Sequence, residues 1–207
     1  MEGLGEAKKH TMKELITLLF LLTATAATAW SQSSETAAIQ QRLDEYFQAT
    51  EAKDWNKVVD MVYPKLFTLV KKEDMVRLFA DMEGNGMVFQ MKDFKVNSIS
   101  EALAHEGERF ALVDYSAGMN IRFTSAAYQD SSMVNVLQAS FAATYGEENV
   151  RYQKEDNSFD IQAEKTMFAI APEGSADWAF MENNPGQEGL LGALIPEAVR
   201  EKLGIGK

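Results

Sequence analysis

The run Phe110-Ala111-Leu112-Val113-Asp114-Tyr115-Ser116-Ala117-Gly118-Met119-Asn120-Ile121-Arg122-Phe123 decides how the rest of the chain is read. Val113, Tyr115, Ala117, Met119, Ile121 and Phe123 share one phase of a two-residue alternation. Asp114, Ser116, Asn120 and Arg122 share the other. Successive side chains of a strand point to opposite faces, so this period predicts a long strand with one face in a core and the other in water. Upstream, Met87 to Ile99 carries Phe89, Met91, Phe94 and Val96, an alternation that slips phase between Met91 and Phe94 and predicts a bulge or bend. Glu101 to Glu108 reads as a polar connection.

Further toward the N-terminus the period lengthens. Ile39, Leu43, Tyr46 and Phe47 recur at helical spacing between Thr36 and Ala52. Asp54 can cap a short second helix that Pro64 stops, and Met75, Leu78, Phe79 and Met82 mark a third, followed by a turn at Gly84-Asn85-Gly86. On the C-terminal side, Asp130 or Ser131 caps a helix through Val134, Leu137 and Phe141 that closes near Gly146. A meander follows: Val150 to Lys154 and Phe159 to Ala171 flank the turn Glu155-Asp156-Asn157-Ser158, and Asp177 to Met181 adds a last strand. The apolar tail Leu190 to Ile195 and a short helix begun by Pro196 are expected to pack back onto the sheet. Helices first, then an antiparallel sheet interrupted by one helix, is an α+β order.

The N-terminus carries a separate signal. Lys8, Lys9, His10 and Lys13 precede the apolar run Leu15 to Leu22 and the small-residue tract Thr23 to Ala29, the order of a secretory signal peptide. Cleavage is expected after Ala29 or, preferred, after Ser31, where Gln32 becomes an N-terminus able to cyclise. Met12 offers a second start. Leu15 to Ala29 is shorter than the roughly 20 apolar residues that span a bilayer, which disfavours a retained anchor. The expected organisation is a signal peptide over residues 1–31 and one α+β domain over 32–207, exported to the periplasm or the exterior, with no membrane span after cleavage.

Composition narrows the partners. In the leader Lys8, Lys9 and Lys13 balance Glu2, Glu6 and Glu14, so the net charge of −11 stays with the mature chain. Nucleic acid is excluded as a partner, because counterion release needs clustered Lys and Arg. The absence of cysteine excludes disulfides, thiolate metal sites, a cysteine nucleophile and a lipid-bearing cysteine.

A family resemblance rests on several segments. Tyr46-Phe47, Asp54-Trp55-Asn56-Lys57-Val58, Tyr63-Pro64-Lys65-Leu66-Phe67 and Lys72-Glu73-Asp74-Met75 resemble the opening of nuclear-transport-factor-2-like domains. Tyr145 to Val150, Met167 to Ile170 and Asp177 to Glu182 resemble the helix end and last strands of exported bacterial members. The resemblance covers about Ala37 to Glu182. It implies N-terminal helices packed on a curved antiparallel sheet, cone-shaped and cystatin-like, with a pocket between the helices and the concave face. Many unrelated functions occupy that fold.

Chemistry-bearing residues are sparse. His105, beside Glu106 and Glu108, is the one histidine left after cleavage and reads as a solvated loop residue, since a metal site needs three or four converging donors. Asp114 is the weak catalytic candidate, with Tyr115 or Arg122 as polariser, although its polar neighbours favour a structural role. Asp160, Gln162, Glu164 and Thr166 share a strand face and do not oppose one another across a cleft, as a glycosidase pair would. Gly84-Asn85-Gly86 is too short for a dinucleotide loop, Asp156 to Asp160 lacks the glycine and glutamate of a calcium loop, and no Gly-x-Ser-x-Gly elbow occurs. No metal or cofactor is expected. Trp55, Tyr115, Met119, Arg122, Met167 and Trp178 are the candidates for a ligand pocket, the apolar ones being equally suited to a core. The leading expectation is a non-enzymatic domain that binds a small apolar molecule or an envelope protein. The alternatives are a pocket enzyme of isomerase, dehydratase or cyclase type, and a homodimer formed through the sheet.

Overall fold

The computed structural model describes residues 34–81, 86–125, 128, 130–184 and 186–205. The expected signal peptide and its two expected cleavage sites, Met82 of the expected third helix, and Gly84 and Asn85 of the expected turn lie outside them. The architecture is α+β, with N-terminal helices packed on a curved antiparallel sheet of six strands in the cystatin-like manner.

Helix α1 spans residues 34–51, and its Ile39, Leu43 and Phe47 are buried as the helical spacing requires. Helix α2, Trp55–Asp60, starts where Asp54 Oδ1 accepts from the Lys57 N–H at 3.2 Å, and Pro64 opens a 3-10 turn, Pro64–Thr68. Helix α3 is Lys72–Asp81. The strands are β1 Met87–Ile99, β2 Leu103–His105 and β3 Glu108–Phe123. After helix α4, Ser131–Tyr145, come β4 Val150–Gln153, β5 Ser158–Pro172 and β6 Ala179–Glu182. Helices α5, Glu188–Leu194, and α6, Glu197–Lys202, end the chain.

In the sheet β3 and β5 are central. β2 and β1 pair in turn along the outer edge of β3, and β6 and β4 along that of β5, every pairing antiparallel. The phase slip in β1 is a bulge. Lys92 pairs with Gly118 and Lys95 with Ser116, so β1 holds one extra residue there, and Asp93 takes the left-handed conformation at φ 54°. A second register shift lies between Val96 and Ser98. Extra residues on one strand bend it and increase its twist, which curls this edge toward α1. There Phe94 stacks on Phe47 with ring centroids 4.4 Å apart.

One expectation is corrected. The connection Glu101 to Glu108 contains β2, which turns into β3 through Glu106 at φ 49° and Gly107 at φ 79°. Two consecutive residues of positive φ make the hairpin turn whose twist matches its strands. Within the apolar tail Glu188–Leu194 forms helix α5, and Pro196 is the N-cap of α6.

The alternation of β3 and β5 divides the core. On the inner face Val113, Tyr115, Ala117, Met167 and Ala169 pack against Ile39, Leu43 and Phe47 of α1. Farther along that face Met119, Ile121, Phe159 and Ile161 pack under α4 through Val134, Leu137 and Phe141. On the outer face Phe110, Phe168 and Ile170 are covered by Leu191, Leu194, Ile195 and Val199 of the C-terminal segment. Each fully buried Val, Leu, Ile, Phe or Met among these contributes roughly 1.5–3 kcal/mol.

Candidate functional site

A cavity of about 600 Å³ opens between the helices and the inner face of the sheet. Its walls come from α1 (Tyr46, Thr50), α2 (Trp55, Val58), α3 (Met75, Leu78, Phe79), β1 (Phe89, Met91) and β6 (Phe180, Met181, Glu182). Trp55 stacks on Phe79 with centroids 5.1 Å apart, which holds α3 over this space. Helix α3 buries no residue completely, and its Leu78 is 63% exposed, as is Leu69 at 59%. Both leucines belong to the cavity wall, so apolar surface continues outward from it to solvent.

One part of the wall is polar, and the sheet register places it. Tyr115 of β3 pairs with Lys165 of β5, and Met167, two residues on, pairs with Glu182 of β6. The Tyr115 hydroxyl donates to Glu182 Oε1 at 2.6 Å. Glu182 Oε2 is sealed from solvent, with the Lys165 ammonium 3.2 Å away as its compensating charge and no donor at a hydrogen-bonding angle. Lys165 also donates to Asn184 Oδ1 at 3.1 Å. Burial first, and the Glu182 charge second, push the phenols of both Tyr46 and Tyr115 well above the ordinary tyrosine range. Both are therefore neutral hydroxyls near pH 7. The result is a largely apolar chamber with one internally neutralised acid–base pair beside two phenols.

The sequence candidates are distributed unevenly about this chamber. Trp55 lines it, and Tyr115 reaches its wall through Glu182. Met167 and Trp178 are buried in the core under α1, and Met119 in the core under α4. The Arg109 guanidinium lies 4.9 Å from the Trp178 ring centroid while donating to Glu35 and to the Ser175 carbonyl, which ties the start of α1 to the β5–β6 connection. Arg122 is exposed in the outward phase of β3.

Asp114 occupies that outward phase too, accepting from Ser98 Oγ at 2.7 Å and Thr166 Oγ1 at 3.2 Å, with the sheet between it and the cavity. His105 ends β2 with Nε2 4.0 Å from Glu106 Oε1. Among the described residues no group of three His, Cys, Asp or Glu side chains is placed to hold a metal ion.

Sequence reasoning missed Tyr46, Lys165 and Glu182. Lys165 had a readable signal: in β5 the inward phase runs Phe159, Ile161, Ala163, Lys165, Met167, Ala169, and one charge interrupts five apolar residues. Glu182 carried none, as it ends a short strand beside polar loop residues.

No family model and no curated protein matches the chain. Among solved structures it is similar to the intermembrane space region of the chloroplast protein ARC6, at 10% identity and a TM-score of 0.36, over 73% of this chain and 92% of that one. That likeness is too small to bear on function.

Proposed function

We propose that this chain is an exported domain of the nuclear-transport-factor-2-like kind that binds a small, mainly apolar molecule without transforming it. The observation that carries the reading is the chamber itself. Its volume of about 600 Å³ lies within the roughly 300–1,000 Å³ typical of small-molecule sites, and most of its wall is aromatic, aliphatic or thioether. A few convergent polar groups on an apolar wall are the usual means of fixing a ligand's orientation. The setting outside the cytoplasm rests on the basic, apolar and small-residue order of Lys8 to Ala29. Among the described residues no helix is long and apolar enough to cross a membrane.

Of the alternatives, a pocket enzyme using Asp114 as base is favoured least, because Asp114 opens onto the far side of the sheet and meets only hydroxyls. An envelope protein as partner, or a second copy on the sheet, has no comparable observation behind it.

The test is titration with an uncharged naphthylamine dye that fluoresces in dry surroundings. Saturable binding at one site per chain is expected. Met75→Trp, which fills the chamber from α3, should weaken it by about tenfold or more while circular dichroism stays unchanged. Binding that is absent, or that persists unchanged in Met75→Trp, would remove the chamber as the site.

A further inference from the structure

We propose that the ligand is uncharged and presents an oxygen acceptor, a carbonyl or hydroxyl at one end of an apolar body, to Tyr46 and Lys165. This inference rests on the binding reading above and names its ligand class.

The polar part of the wall is Tyr46, Thr50, Lys165, Glu182, Asn184 and Gln187. Tyr46 lines the chamber, its ring packed against Phe180 with centroids 5.3 Å apart, and its hydroxyl has no hydrogen-bond partner among the described residues. An ammonium carries three N–H donors. Lys165 directs one to Asn184 and makes no hydrogen bond to Glu182 Oε2, 3.2 Å away, so donors are left over. Glu182 offers little in return: Oε1 is taken by Tyr115, and Oε2 is sealed. The unused capacity on this wall is therefore for donating.

Charge then selects among acceptors. A carboxylate entering the chamber would gain Lys165 and at the same distance range meet Glu182, which already neutralises that lysine at 3.2 Å. An ammonium would be repelled by Lys165 and would meet acceptors already engaged, Asn184 Oδ1 by Lys165, Gln187 Oε1 by Asn184 and Glu182 Oε1 by Tyr115. Either ion would also leave water for a mainly apolar wall without a free counter-charge, a penalty that an uncharged oxygen escapes. A ketone, ester or alcohol oxygen takes the spare O–H and N–H at little desolvation cost and lays its hydrocarbon part along Trp55, Phe79 and Met75.

Competition against the bound naphthylamine dye, using probes of matched chain length, tests this directly. Methyl nonyl ketone should displace the dye at about tenfold lower concentration than decanoate or decylammonium. Tyr46→Phe removes the spare hydroxyl without breaking a protein hydrogen bond, and should reduce the ketone-to-dye affinity ratio by about fivefold. If the dye binds and decanoate or decylammonium competes as well as the ketone, the ligand class is wrong and the chamber reading stands. A ratio unchanged in Tyr46→Phe would equally overturn the assignment of that donor. If the dye itself does not bind, the chamber reading falls and this inference with it.

Discussion

Lys165 occupies a position where the alternation of β5 calls for an apolar side chain, and its cost is met by neighbours from other strands. The ammonium and the Glu182 carboxylate compensate each other, and Tyr115 supplies Glu182 with an O–H. Removing that donor should be felt. Tyr115→Phe leaves Glu182 Oε1 buried without a partner, so a loss of about 1–3 kcal/mol in urea unfolding near neutral pH is expected. Its pH dependence has a definite sign. The folded-state phenol is held above the ordinary value of 10.0 by burial and then by Glu182. Its contribution is therefore complete below the unfolded-state pKa and shrinks as pH rises beyond it, because only the unfolded chain then ionises. The wild-type protein should lose more stability than Tyr115→Phe between about pH 8 and about pH 11. Equal losses would show that this phenol titrates alike in both states. The network as a whole is not legible along the sequence, because Tyr46, Tyr115, Lys165 and Glu182 come from four elements. Tyr115 stood out as an aromatic candidate, and the break in the β5 pattern pointed to Lys165.

The elements themselves were far more legible. The alternation of Phe110 to Phe123 identifies the central strand, the phase slip in Met87 to Ile99 identifies the bulge, and Asp54 and Asp130 cap the helices they precede. What escaped has a physical reason in each case. Strand β2 has three residues, too few to establish a period, so the turn-forming Glu106-Gly107 pair had nothing upstream to mark as a strand. Helix α5 starts without a side-chain cap and carries Gly192 inside an apolar run, so neither a start signal nor an amphipathic stripe stood out.

This C-terminal pair of helices is nonetheless a lid on the outer core. Leu191, Leu194, Ile195 and Val199 are all buried against the face that holds Phe110, Phe168 and Ile170. At roughly 1.5–3 kcal/mol for each buried side chain, their removal approaches the whole margin of a domain, about 5–15 kcal/mol. A chain stopped at Asn184 should aggregate on expression or melt far below the complete protein. A soluble product with an unchanged melting temperature would mean that the helices are appended to the fold and do not complete it.

At the scale of the whole molecule, both faces of the sheet carry core, and the chamber is the place where the helices and the inner face do not close on each other. Its existence followed only from the family resemblance, and of its polar lining only Lys165 had a local signal, since a cavity belongs to the assembled elements and not to any one of them. Export is a prediction at this scale. Intact-mass analysis of the protein recovered outside the cytoplasm should place its first residue near Gln32. That cut leaves Glu35 in the mature chain, where Arg109 holds it. Recovery solely as a full-length, membrane-bound chain would replace the signal-peptide reading with an anchor.

Helix α4 differs in kind from the rest of this acidic molecule. From Ser131 to Tyr145 it contains no carboxylate, amine, guanidinium or imidazole, and Met133 and Val136 are exposed on it, at 38% and 63%. Its seat on the sheet, through Val134, Leu137 and Phe141, is made of apolar contacts with no titrating group among them. Two copies of a chain carrying −11 repel one another over most approaches. Along this helix the surface adds no charge of its own to that repulsion, so an approach of two copies there is opposed only by the charges around it, which salt screens.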